Sequence, residues 1–227
     1  MTDRLDITVG DVRLACQVSG AAEDPAMVLL HALGERRSSW DAVTAEFEQS
    51  FRVVSVDLRG HGESSRPGAY SFELMRDDVR GVLDHLGLDR ITLVGHSMGG
   101  AVAYLLAQDQ PARIDRLIVE DAPPPFRRDR AAQVRPEGPL PFDWAVVPAI
   151  VGQFADPDPT WWERLSDISA PTLLIAGGPS SHIPQDKLEE VAARIPRCWI
   201  VTIPVGHHIH EARPVEFNEA VAAFLRA

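Results

Sequence analysis

Gly95-His96-Ser97-Met98-Gly99 sets a serine hydroxyl between two glycines in the G-x-S-x-G pattern. A serine at that spacing can attack acyl carbon: in a nucleophile elbow, a sharp strand-to-helix turn strains its backbone, exposes its Oγ and needs small neighbours for close chain approach. The bare pattern arises by chance in roughly one chain in ten of this size, so its flanks carry the argument. Residues 91–94 are an apolar run suited to a buried strand, and residues 101–108 are rich in helix formers with no Gly or Pro. Ser97 then stands at a helix N-terminus, where unpaired N–H groups favour a developing anion. A serine hydroxyl is a poor nucleophile at neutral pH and needs a basic partner, a role suited to histidine. Gly206-His207-His208-Ile209-His210 offers three candidates, and alternation along the loop leaves each open.

The elements that must position these groups read as alternating strands and helices. Residues 4–9 and 12–18 alternate polar and apolar around Gly10-Asp11, predicting a hairpin and an antiparallel edge. Buried strands follow at 26–30 and 51–56, with Ser38 or Ser39 expected to cap the helix between them. Ser71 opens a helix whose apolar residues Met75, Val79, Val82, Leu83 and Leu86 share a face, and Gly87 stops it. Beyond the elbow, strands are expected at 114–119, 172–176 and 199–203, with helices at 185–194 and 211–225. Residues 122–169 differ: they are rich in proline, have no clear period, and carry Trp144, Trp161 and Trp162. So many aromatics do not belong in water, which points to a cap of short helices over the carboxyl edge of the sheet. The pattern predicts a mainly parallel α/β sheet flanked by helices, one domain over residues 1–227 with a cap insertion at about 122–169. Ligands of such sheets bind at the carboxyl ends of the strands, where residues 31–34, Ser97 and Glu120-Asp121 fall.

Composition narrows the partners. Of 227 residues, 33 are acidic against 22 Lys and Arg, a formal net charge of -11 that repels nucleic acid and anionic membranes. The short basic stretch Arg127-Arg128-Asp129-Arg130 reads as a solvated loop. Cys16 and Cys198 fall in separate strands with no metal or redox spacing, so both are expected as free thiols. No signal-like or membrane-length apolar run is present, giving the expectation of a cytoplasmic enzyme. Oligomeric state is left open.

These motifs together resemble the alpha/beta-hydrolase fold family. His31-Ala32-Leu33-Gly34 resembles its HG-x-G loop after the third strand, with Ala32 in place of a glycine. Asp57-x-Arg59-Gly60-His61-Gly62-x-Ser64 resembles its D-x-R-G-H-G-x-S loop, and Gly206-His207 through Arg213-Pro214 its C-terminal histidine loop. The resemblance implies that His207 is the base and that the amides of Leu33 and Met98 form the oxyanion hole. It implies a serine hydrolase cleaving a carboxylic ester or related acyl bond through an acyl-enzyme, with no metal or organic cofactor. Carbon-carbon hydrolysis, lactone opening and a catalytically silent binding protein are the alternatives. The loop where the family usually carries its acid, residues 176–184, has no carboxylate. The acid is therefore expected at the end of the 114–119 strand, at Glu120 by preference for its longer side chain, with Asp121 the alternative. His31, His96, Trp144 and Trp162 are expected around the substrate pocket, the histidines holding loops by hydrogen bonds and the tryptophans giving, with Trp161, Phe142 and Phe154, an apolar lining.

Overall fold

The computed structural model describes residues 2–127 and 133–227, so three members of the short basic stretch, Arg128, Asp129 and Arg130, lie outside the described residues. The strands are β1 (Thr2–Val9), β2 (Val12–Ser19), β3 (Ala26–Leu30), β4 (Arg52–Val56), β5 (Ile91–His96), β6 (Ile114–Glu120), β7 (Thr172–Ala176) and β8 (Cys198–Thr202). They form one sheet in the order β1-β2-β4-β3-β5-β6-β7-β8. β1 pairs antiparallel with β2, and β2 with β4; every later pairing is parallel. The hairpin turns at Gly10, whose φ of 59° suits a residue without Cβ.

Burial follows strand position. β3, β5 and β7 are buried along their whole length, while the edge strand β8 is mostly exposed. Two apolar layers cover the faces, and alternate residues of one strand feed each: Met27 and Leu29 enter one layer, Val28 and Leu30 the other. The first layer contains Val43 and Phe47 of α1 (Asp41–Phe47) and Phe217 and Val221 of α8 (Pro214–Leu225). The second contains Met75 and Val79 of α2 (Phe72–His85), Val102 and Leu106 of α3 (Met98–Asp109) and Val191 of α6 (Gln185–Arg194).

Between β6 and β7 stand the short helices α4 (Val146–Ala155) and α5 (Thr160–Glu163), followed by a 3-10 turn. Val146 and Ile150 bury into the layer shared with α2 and α3, and Gln153 Oε1 accepts the N–H of Phe72 at 2.8 Å. This segment is thereby fixed to the start of α2.

Two local expectations are corrected. Neither Ser38 nor Ser39 caps α1: both lie within a 3-10 turn, Arg37–Trp40, and the helix starts at Asp41 with no side-chain cap. The closing helix is two pieces, α7 (Ile209–Ala212) and α8, because Pro214 has no N–H to continue the ladder and disfavours helical backbone at Arg213, whose φ and ψ are -140° and 62°. Ser71 does cap α2, accepting the Leu74 N–H at 3.1 Å. Cys16 and Cys198 are free thiols. Among the described residues no helix is long and apolar enough to cross a membrane.

Candidate active site

β3 and β5 are neighbours, but the chain leaves β3 towards β4 on one side and β5 towards β6 on the other. Such a switch point opens a crevice at the carboxyl ends of the two strands. Into it comes Ser97, between β5 and α3, with φ 52° and ψ -111°, a strained backbone for a residue with a side chain. The turn is possible only with glycine on both sides. A Cβ on Gly95 would lie 2.4 Å from Gly99 O, and one on Gly99 would lie 2.3 Å from Leu30 O. Met98 opens α3, so its N–H is among the first four of the helix that have no intrahelical acceptor.

The opposite wall comes from the loop between β8 and α7. His207 Nδ1 lies 2.8 Å from Asp121 Oδ2, so Nδ1 carries the proton and Nε2 is left with a lone pair. Asp121 is fully buried and accepts three further bonds, from Gly177 N–H at 2.9 Å, from Gln185 Nε2 at 3.3 Å and from the Ser181 hydroxyl. Burial works against its charge, but the His207, Ser181 and Gly177 donors outweigh it and hold the carboxyl below its ordinary range. His207 is shifted down as well: burial disfavours its cation and nearby His96 adds repulsion, against the pull of Asp121. A neutral imidazole with a free lone pair is what general-base chemistry requires.

The acid paired with this histidine is Asp121, which corrects the preference for Glu120. Side chains alternate along β6, so Glu120 points to the same face as Ile118, which packs in the layer of α1 and α8. There its carboxylate meets a different histidine, His210, whose Nδ1 is 2.7 Å from Oε2, and accepts the backbone N–H groups of Ile209 and His210. Asp121 leaves the strand with φ 45°, turning its side chain towards residues 177–185 and His207.

Ser97, Met98, Leu33 and His207 line one cavity of about 260 Å3, with Ile150 and Phe154 of α4, Phe126, Ile183, His182 and His208 completing much of its wall. No Lys or Arg lines it among the described residues. The four residues expected around the pocket are not in this lining. His31 is buried behind the β3 loop, where Nδ1–H donates to Ala32 O at 2.7 Å and Nε2 accepts the Leu58 N–H at 3.0 Å. Burial pushes its pKa down to about 4, in keeping with this neutral role. His96 is buried behind Ser97, and its Nε2–H donates to the His207 carbonyl at 2.9 Å. Burial opposes its charge, yet Glu120, Glu35 and that carbonyl together push its pKa up to about 9. Both histidines thus hold loops by hydrogen bonds, without reaching the cavity.

Trp144 packs against Phe142, ring centroids 6.4 Å apart. Trp162 donates Nε1–H to Pro125 O at 2.9 Å and lies under the Arg194 guanidinium. Large and apolar, the tryptophans suit a pocket lining by type, but Trp144 is covered by Phe142 and Trp162 by the Pro125 carbonyl and the Lys187 and Arg194 side chains of α6. Phe154, also expected in the apolar lining, does reach the cavity, as does Phe126; it stands four residues from Ile150 and eight from Val146 on α4, one helical stripe. Phe126, His182 and Ile183 lie in loops and leave no periodic signal.

Two sets of side chains, Glu35 with His96 and His208, and His96 with Glu120 and His210, bring imidazole and carboxylate ligand atoms within 4.8 Å of one another. In both, carboxylate and imidazole already serve as partners: His208 Nδ1 lies 3.0 Å from Glu35 Oε1, and His210 Nδ1 2.7 Å from Glu120 Oε2.

The family model for the alpha/beta hydrolase fold matches residues 25–142. Over 92% of this chain and 83% of its own length, the sn-1-specific diacylglycerol lipase ABHD11 of Mus musculus is 29% identical. The 3-oxoadipate enol-lactonase 2 of Acinetobacter baylyi is 28% identical over 97% of this chain and 96% of its own. Among solved structures, Est816, an N-acyl homoserine lactone degrading enzyme, superposes with a TM-score of 0.82 at 29% identity, covering 97% of this chain and all of that one.

Proposed function

This chain belongs to the alpha/beta hydrolase fold family, and from that premise we propose that it is a serine hydrolase cleaving a carboxylic ester or related acyl bond of a small, apolar substrate through an acyl-enzyme. The observation that carries this reading is the 2.8 Å Asp121–His207 bond in the wall of the cavity that Ser97 also lines. In the proposed reaction Ser97 Oγ attacks the acyl carbon while its proton passes to His207 Nε2, and Asp121 stabilises the resulting imidazolium. The Leu33 and Met98 amides hold the oxyanion, each contributing about 3 kcal/mol of barrier lowering. Collapse breaks the bond to the alcohol, which takes the proton from His207. Water then repeats the sequence on the acyl-serine and regenerates the hydroxyl.

The cavity is close to the lower end of ligand-site volumes, and its wall of Leu33, Met98, Ile150, Phe154 and Ile183 favours an uncharged acyl group. A lactone is a second reading of the same chemistry, since the leaving alcohol then stays tethered to the acyl chain. It is supported by the two lactone-acting relatives that align over nearly the whole chain. A fluorophosphonate probe followed by peptide mass analysis tests the mechanism. Covalent mass on Ser97, blocked by His207→Ala, is expected; an unlabelled native protein would refute it and favour a silent binder. Esters of graded acyl length and simple lactones, assayed together, then assign the substrate class.

A further inference from the structure

The proposed relay uses Asp121 and leaves its neighbour Glu120 without a chemical step. Yet Glu120, fully buried, bonds to both halves of the site. Its backbone carbonyl accepts the N–H of Ser97 at 3.1 Å. Its Oε1 accepts the N–H of Ile209 at 2.6 Å and that of His210 at 3.0 Å, while Oε2 pairs with His210 Nδ1 at 2.7 Å. The nucleophile turn and the loop that follows His207 are therefore anchored on one residue.

Two histidines stiffen this anchorage. His96, immediately before Ser97, donates Nε2–H to the carbonyl of His207 at 2.9 Å, a second tie between the same two loops. His210 is stacked on Trp40, centroids 4.0 Å apart at 22°, and packs edge-on to Phe217, so the far side of the histidine loop rests on the apolar layer of α1 and α8. A carboxylate suits the position because it accepts all three donors at once, and charge-assisted bonds are roughly twice as strong as neutral ones.

Resting on the proposed reaction, we infer that Glu120 is a positioning residue that, with His96 and His210, sets the reach between Ser97 and His207. Proton transfer needs that reach held closely, and a misplacement of about 1 Å can cost on the order of a hundredfold in rate.

The test compares steady-state kinetics, the rate of Ser97 labelling by a fluorophosphonate and thermal stability in wild type, Glu120→Ala, Glu120→Gln and His96→Leu. Glu120→Ala is expected to lower kcat and labelling on the order of a hundredfold per folded molecule, with KM within about twofold. Glu120→Gln keeps an acceptor for the two backbone N–H groups and should recover most of that loss. His96→Leu removes the second tie and should cost about tenfold in kcat, which keeps the inference testable if Glu120→Ala does not fold. Folded variants that lose stability while keeping wild-type kcat and labelling rate would overturn the positioning role, leaving Glu120 and His96 as structural groups only. Absence of labelling in the wild type is a separate result, which removes the proposed reaction itself.

Discussion

Replacing Asp121 with Asn changes one oxygen for one NH2, and the surroundings determine which way the amide turns. Oδ1 accepts from Gly177 N–H and Gln185 Nε2, while Oδ2 faces the Ser181 hydroxyl and His207 Nδ1. A backbone N–H cannot become an acceptor, so the remaining oxygen must serve Gly177. The hydroxyl of Ser181 can rotate to accept, and His207 can move its proton to Nε2. The amide NH2 therefore settles against Nδ1 and fixes the wrong tautomer, in which Nε2 carries a proton and cannot take one from Ser97. The reaction then loses its base and the charge that stabilises the imidazolium, and kcat is expected to fall about 10⁴-fold, the cost of that tautomer error in a serine triad. The assay is ester hydrolysis normalised to folded protein, with circular dichroism checking that structure is kept. Activity within tenfold of wild type in a folded Asp121→Asn protein would refute the assignment and the tautomer argument together.

Ser97→Gly should abolish turnover and raise stability by about 1 kcal/mol, since relief of roughly 1–3 kcal/mol of backbone strain exceeds the added chain entropy of glycine; a melting temperature at or below wild type would contradict it. Ile150→Ala should enlarge the acyl pocket and shift the ranking of kcat/KM towards longer chains, whereas Trp162→Ala should lower stability and leave the ranking unchanged. Reversal of these two effects would return the tryptophan to the pocket wall. For pH, His207 acts when neutral, and its pKa lies below 6.5 because burial, His96 and His208 outweigh the pull of Asp121. Activity should therefore rise with pH through a midpoint below that value and stay high above it; a rising limb centred above 6.5 would mean that Asp121 dominates.

Much of the architecture could be read from the residues because local pattern and tertiary role agree. The runs at 26–30, 172–176 and 185–194 became β3, β7 and α6 with the expected bounds, each being either continuously apolar or amphipathic at helical period. The turn at Ser97 was legible from a glycine-bracketed motif whose glycines have a steric cause, seen in the clash a Cβ on Gly95 or Gly99 would make, whereas the residues alone left His207, His208 and His210 open and only the family resemblance selected His207. The choice between adjacent acids was not. Alternation says that Glu120 and Asp121 face different ways, but which face holds which histidine depends on the packing of Ile118 with α8 and of His210 on Trp40, contacts far apart in sequence. The cap misled for a related reason: hydrophobicity says that Trp144 and Trp162 must be covered, without saying by what.

Carrying the acid at the end of β6 has a further consequence for the loop after β7. That loop and the first residue of α6 supply only donors to Asp121, through Gly177, Ser181 and Gln185, while His182 and Ile183 line the cavity and the His182 ring packs edge-on to His207, centroids 4.2 Å apart. In the proposed reaction Gly177, Ser181 and Gln185 hold the acid and His182 touches the base, leaving the Ile183 side chain to meet the substrate. Position 183 is where this segment can change identity and redraw the substrate range with the proposed relay kept, because its tie to Ser181 Oγ is a backbone N–H, at 3.0 Å, that any residue but proline supplies.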